Sequence, residues 1–242
     1  MAEFLLVHGA WHGAWCWRRV VPLLEQSGHR VHAVTLTGVG ERAHLLNAQI
    51  SLETHIQDLI SALEAEEFDS AILVLHSYAG MLGTAVADRW PDRVKRLVYV
   101  DAMVPSPGEA WGDLQPADIR AARQAAIAAS PSRVMPAPDA ALYGLDGADH
   151  AWVTRRVRPH PGGPYGDALE FSVERVWRIP RTFISCTRPA LSTIDPIRKR
   201  VRDPDFWGGR WIDRSQYIEL RTGHDPMVSA PRELADILLG QA

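Results

Sequence analysis

The chain of 242 residues predicts an α/β fold, a mostly parallel sheet of about six strands flanked by helices, with a cap inserted after the fourth strand. Three observations predict it. Short apolar runs alternate with helical patterns, as in a sheet covered on both faces. One such run, Ala71 to Leu75, stops at a serine and gives way at once to a helix. A long Pro- and Trp-rich stretch then breaks the alternation.

The expected strands, in order, are Phe4 to Val7, Arg30 to Leu36, Ala71 to Leu75, Arg96 to Val100, Thr182 to Cys186 and Gln216 to Leu220. Each is a short run rich in β-branched, leucine or aromatic residues. Helices are expected from Gly13 to Gln26, from Ser51 to Ala65, from Tyr78 to Arg89 and from Pro231 to Leu239. Ser51 fits an N-cap and Pro231 a first helical turn. Leu52, Ile56, Leu59, Ile60 and Leu63 form an apolar stripe at helical spacing. Trp11 and Trp15, four apart, are expected on one face of the first helix, Trp11 nearer a pocket.

Ten of the 17 prolines fall between Pro105 and Pro180, together with Trp111, Trp152 and Trp177. Only Ile119 to Ala129, rich in alanine, reads there as helix. The division is therefore 1–104 and 181–242 as core and 105–180 as a cap. An insertion between strand ends of an open α/β sheet tends to roof the crevice where ligands bind.

Composition narrows the function class. The chain is 46% hydrophobic and 23% charged, enough for one sizeable core. A net charge of -3 without massed Lys and Arg gives no footprint for nucleic acid. Two cysteines, Cys16 and Cys186, far apart in sequence, suit a reducing compartment. The N-terminus has neither a basic leader nor a long apolar span. The expectation is a cytoplasmic protein, monomer or homodimer, that binds a small molecule and neither nucleic acid nor membrane.

Leu75-His76-Ser77-Tyr78-Ala79 has the form of a nucleophile elbow, a strained strand-to-helix turn that exposes a serine hydroxyl. Leu75 and Ala79 stand where the usual pattern has glycines, and Ser77 alone equally fits a helix cap. A serine needs a base, and His224, in Gly223-His224-Asp225-Pro226 after the last strand, is the best placed histidine. Asp101, directly after the fourth strand, is preferred as the supporting acid, with Asp195 as the alternative. The backbone N–H groups of Ala10 and Tyr78 are assigned to an oxyanion hole. Trp11, His12 and Trp152 are the expected pocket residues. Thr37 to Ala43 formally matches a dinucleotide fingerprint, but no helix opens in it to seat a pyrophosphate; it reads as a mobile loop beside the pocket. No metal motif and no cofactor site is present.

The run Phe4 to Trp17, with His8-Gly9-Ala10-Trp11-His12-Gly13-Ala14-Trp15, together with Ser77-Tyr78-Ala79-Gly80-Met81 and Gly223-His224, resembles the α/β-hydrolase superfamily. The likeness is to its small cofactor-free branch of methylesterases and hydroxynitrile lyases. Thr37-Gly38-Val39-Gly40-Glu41-Arg42 is similar to a loop of bacterial members, among them esterases that cleave benzimidazole carbamates. The resemblance covers about the core two thirds of the chain. It implies a serine hydrolase acting on a small apolar carboxylic or carbamic ester; a lyase on the same scaffold and a non-catalytic ligand-binding relative are the alternatives. Three departures stand out. Leu75 replaces a glycine and should crowd the turn, Pro189 replaces the branch's aspartate, and Asp225 stands where hydroxynitrile lyases carry lysine.

Overall fold

The computed structural model describes residues 1–242. Six strands form one sheet: β1 Glu3–Val7, β2 Arg30–Val34, β3 Ala71–His76, β4 Val94–Val100, β5 Arg181–Cys186 and β6 Ser215–Leu220. Their order is β6-β5-β4-β3-β1-β2, and every pairing is parallel. Each expected strand is present within two residues at either end. β3 is buried at every position, as a strand covered on both faces must be.

The chain runs from β1 out to β2, then crosses back to place β3 on the other side of β1. The direction of winding reverses there, and connections leaving the carboxyl ends of β1 and β3 diverge to open a crevice. The loop after β1 and the turn after β3 face each other across it.

The helices that line the sheet include α1 Val21–Gln26, α2 Leu52–Ala65 and α3 Ala79–Arg89. Ser51 caps α2 by accepting from the Thr54 amide, with Thr54 returning the bond to the Ser51 amide. The predicted stripe is buried, and His55 lies on it as well. Nearly all of α3 is buried. Gly83 explains how Leu75 is tolerated: a Cβ on Gly83 would stand 2.1 Å from Leu75 Cδ1. The leucine fills the space that a side chain on the helix would take, so α3 packs against β3 with Leu75 in place. The crowding expected from Leu75 is transferred to Gly83.

The expected helix from Gly13 to Gln26 is instead a 3₁₀ stretch, Ala14–Arg19, followed by α1. Trp11 precedes both with φ 67°, so Trp11 and Trp15 share no helix face. Residues 101–180 leave β4 and return to β5. They carry α4 Ala117–Ala129, α5 Gly147–Thr154 and two short antiparallel ladders, Glu109–Ala110 with Ala168–Leu169 and Val134–Met135 with His160–Pro161. Their buried residues, Trp111, Leu114 and Ile127 among them, belong to the same continuous core as the sheet. No helix is long and apolar enough to cross a membrane.

Candidate active site

Three residues with left-handed backbone stand at the carboxyl ends of β1, β3 and β4: Trp11 at φ 67°, Ser77 at 54° and Asp101 at 46°. L-residues in this region are strained, and such strain persists only where surrounding bonds hold it. The Ser77 amide donates to the Val100 carbonyl (3.2 Å), the Met103 amide to the Ser77 carbonyl (2.8 Å), and the Asp101 amide to the Ile184 carbonyl (2.8 Å). These bonds extend the sheet past its edge and fix the turns. Gly9 lets β1 approach: a Cβ there would meet Ser77 Cβ at 2.8 Å and His76 Nδ1 at 2.9 Å.

Ser77 and His224 open onto one cavity of about 250 Å³. His224 Nδ1 donates to Asp101 Oδ2 at 2.8 Å, and both residues are buried. The bond fixes the tautomer and leaves Nε2 with its lone pair for a proton. The His224 amide donates to the Tyr143 carbonyl at 2.8 Å, which holds the loop. Asp195, the alternative acid, is on the outside. It accepts from Arg198 Nη1 at 2.7 Å with its side chain largely exposed. Asp101 reaches His224 although Pro189 occupies the loop after β5, because β4 and β5 are neighbours whose ends overlook the same histidine.

A further residue, Arg198, belongs to the site. From the other side its Nη2 donates to Asp101 Oδ1 at 2.8 Å and Oδ2 at 2.9 Å, and the Cys186 amide adds a bond at 3.2 Å. The sequence run Arg198-Lys199-Arg200 contains nothing that marks which of its cations turns inward.

The amides of Ala10 and Tyr78 lie outside the strands and helices and donate to no protein group. The Tyr78 side chain points away from them. Its hydroxyl meets His55 Nδ1 at 3.1 Å, and His55 Nε2 donates to the Thr37 carbonyl at 2.9 Å. His8 ties the other turn. Nε2 accepts from the Leu36 amide at 3.1 Å, Nδ1 donates to the Gly9 carbonyl, and burial lowers its pKa to about 3, so it stays neutral.

Of the three expected pocket residues, only Trp11 lines the cavity. His12 turns inward and is buried. Nδ1 faces the Ala10 carbonyl at 2.8 Å and Nε2 faces Asp225 Oδ2 at 3.0 Å, so both nitrogens point at acceptors and the ring is an imidazolium. Trp152 packs edge-on against Trp15 and beneath Arg156, away from the cavity. The Thr37 to Ala43 loop also lies off the cavity. It is strapped to α2, since Asp58 accepts from the Thr37 amide and hydroxyl and from Arg42. Its partners Asp58 and His55 stand on α2, contacts that no local signal in the sequence reports.

His76, His224 and Asp225 bring three ligating atoms within 4.8 Å. His76 does not suit a metal, because its Nδ1 accepts from the Gly9 amide at 3.2 Å and its Nε2 donates to the His224 carbonyl at 2.8 Å. Burial holds its pKa well below the usual imidazole range. The remaining lining includes Met103, Trp111, Gln115, Arg123, Tyr143 and Leu191.

A sequence profile of the "Alpha/beta hydrolase family" matches residues 4–237. The chain is 37% identical to a carbendazim hydrolyzing esterase from Nocardioides sp. (strain SG-4G) over 98% of each chain. It is 28% identical to methylesterase 7 from Arabidopsis thaliana, over 98% of this chain and 95% of that one. Among solved structures, a methylesterase from Arabidopsis superposes with a TM-score of 0.77 at 25% identity, covering 99% of this chain and 98% of the other.

Proposed function

The chain belongs to the alpha/beta hydrolase family, and from that premise we propose that it is a serine esterase. Its substrates are small, largely apolar carboxylic or carbamic esters. The observation that carries the reading is that a left-handed Ser77 and His224 line one cavity, His224 being held by Asp101 at 2.8 Å. Residues 105–180 act as the cap over that cavity.

In this reading Ser77 Oγ attacks the ester carbonyl while its proton passes to His224 Nε2. Asp101 stabilises the imidazolium that forms. The oxyanion takes the Ala10 and Tyr78 amides, each such donor contributing about 3 kcal/mol to the transition state. His224 then gives the proton to the departing alcohol, leaving an acyl- or carbamoyl-serine. Water, deprotonated by His224, attacks that intermediate; the acid leaves and Ser77 regains its proton.

Two features favour this reading over the alternatives. A non-catalytic relative required an elbow damaged by Leu75, and Gly83 accommodates that side chain. Cyanohydrin chemistry is disfavoured because the residue after His224 is an aspartate, Asp225, and not a lysine.

The test is Ser77→Ala with p-nitrophenyl acetate and a fluorophosphonate probe. Wild-type protein should label at Ser77 and turn over the ester, whereas the variant should do neither while keeping its circular dichroism. Retained turnover in the variant would refute the assignment.

A further inference from the structure

Arg123 is the one formally charged side chain, apart from the titratable His224, among the residues that line the cavity. It stands on α4 and projects over an aromatic wall. Its guanidinium carbon lies 5.3 Å from the Trp11 ring, 5.5 Å from Trp111 and 5.8 Å from Tyr165. No carboxylate comes within 4.0 Å of it; the other cations near the site, Arg198 and Arg120, have acids as partners. Its Nη1 donates to the Gln115 side-chain oxygen at 3.0 Å, and the Tyr165 hydroxyl is a further hydrogen-bonding neighbour, which leaves most of its donors without an acceptor.

A guanidinium carries five N–H donors in a planar fork. Taking such a cation out of water is costly unless an acceptor meets it. Aromatic faces offset part of that cost but accept no hydrogen bonds. Burial accordingly depresses the pKa of Arg123 from its ordinary value. Its near neighbour on the same helix, Arg120, pairs with Asp113 at 3.2 Å, so an acid was available on this surface and is spent elsewhere.

We infer that Arg123 is a specificity-determining residue that receives a carboxylate at the far end of an otherwise apolar ester, the unpaired fork over the Trp11 and Trp111 rings being its seat. The inference rests on the esterase reading above and names its substrate class as monoesters of dicarboxylic acids. Two parallel N–H···O bonds would match the carboxylate plane, while Met103, Ile119 and Leu191 line an apolar path suited to the intervening chain. Gln115 orients Arg123 from the side and stays in place.

The experiment compares monomethyl glutarate, adipate and pimelate with methyl pentanoate, hexanoate and heptanoate, following methanol release by wild type, Arg123→Met and Arg123→Lys. For at least one chain length the anionic ester should have a kcat/KM more than tenfold above its neutral partner. That ratio should fall below one in Arg123→Met and take an intermediate value in Arg123→Lys, which keeps the charge but loses the fork. A purely structural Arg123 would lower both series together and leave the ratio unchanged. Adipate binding to the Ser77→Ala protein, measured by calorimetry, separates this inference from the nucleophile assignment. Adipate should bind there and lose at least tenfold when Arg123→Met is added. A neutral ester preferred at every length by wild type, or adipate binding indifferent to Arg123→Met, would overturn the proposal.

Discussion

The Arg198 guanidinium lies against both carboxylate oxygens of Asp101, at 2.8 and 2.9 Å, on the opposite side from His224. Asp101 is thus shared between an arginine that is always charged and a histidine that becomes charged only when it accepts a proton. Arg198 supplies a counter-charge to a carboxyl group that is fully buried.

Asp101→Asn should therefore lower kcat by about 10⁴-fold with little change in KM, since an amide can hold His224 in the wrong tautomer. Asp195→Asn, at an exposed partner of Arg198, should stay within a fewfold of wild type. Steady-state hydrolysis of a p-nitrophenyl ester measures both. A large loss in Asp195→Asn alone would reverse the assignment of the acid.

Removing Arg198 leaves Asp101 buried with one cation fewer. Arg198→Met should cost about 3–5 kcal/mol in urea unfolding, with activity falling alongside. A change under 1 kcal/mol would mean that solvent reaches Asp101 and screens it.

Leu75 and Gly83 make a coupled pair. Gly83→Ala forces a Cβ into the leucine and should cost about 1–3 kcal/mol, and Leu75→Ala opens a cavity costing about 2–5 kcal/mol. The double variant should be less destabilised than the sum, because the alanine methyl enters the space left by the leucine. Additivity in the cycle would show that the two side chains do not compete for one volume.

The buried pair His12 and Asp225 makes stability depend on pH. Burial opposes a charge on His12, but Asp225 and the Ala10 carbonyl override it and raise its pKa. Burial likewise opposes a charge on Asp225, and His12 overrides it and lowers that pKa. The His12 contribution is complete below its unfolded value of about 6.5 and is lost as pH rises through the raised one. The Asp225 contribution is present above about 3.9 and is lost as pH falls through the depressed value. The Tm difference between wild type and Asp225→Asn should then be widest between about pH 4 and 6.5 and shrink on the alkaline side. A difference that grows above pH 8 would contradict the imidazolium.

Six strands, their parallel arrangement and the positions of Ser77, Asp101 and His224 just beyond strand ends were legible in the chain. The reason is local: a run of β-branched and leucine residues ending in Ser77, or in Asp101, places the polar residue at a strand end whatever surrounds it, and parallel strands bring those ends to one edge. The same logic failed for His12 and Trp152. Their side-chain directions depend on Asp225, 213 residues away, and on Trp15, packed against Trp152 of α5, contacts between segments far apart in the chain that no local periodicity reports. It failed too for Arg198, one of three adjacent basic residues, whose inward turn is set by the buried carboxylate it must neutralise. Leu75 was visible as an anomaly in the elbow, yet its consequence depended on the missing side chain of Gly83, one helix away. Sequence alone determined that Ser77, Asp101 and His224 follow strand ends and at which edge of the sheet they gather. Tertiary structure decided which acid faces His224, which aromatics face the cavity and which charge is left unpaired. Those outcomes are set by desolvation and close packing between segments distant in the chain, and neither force leaves a local mark.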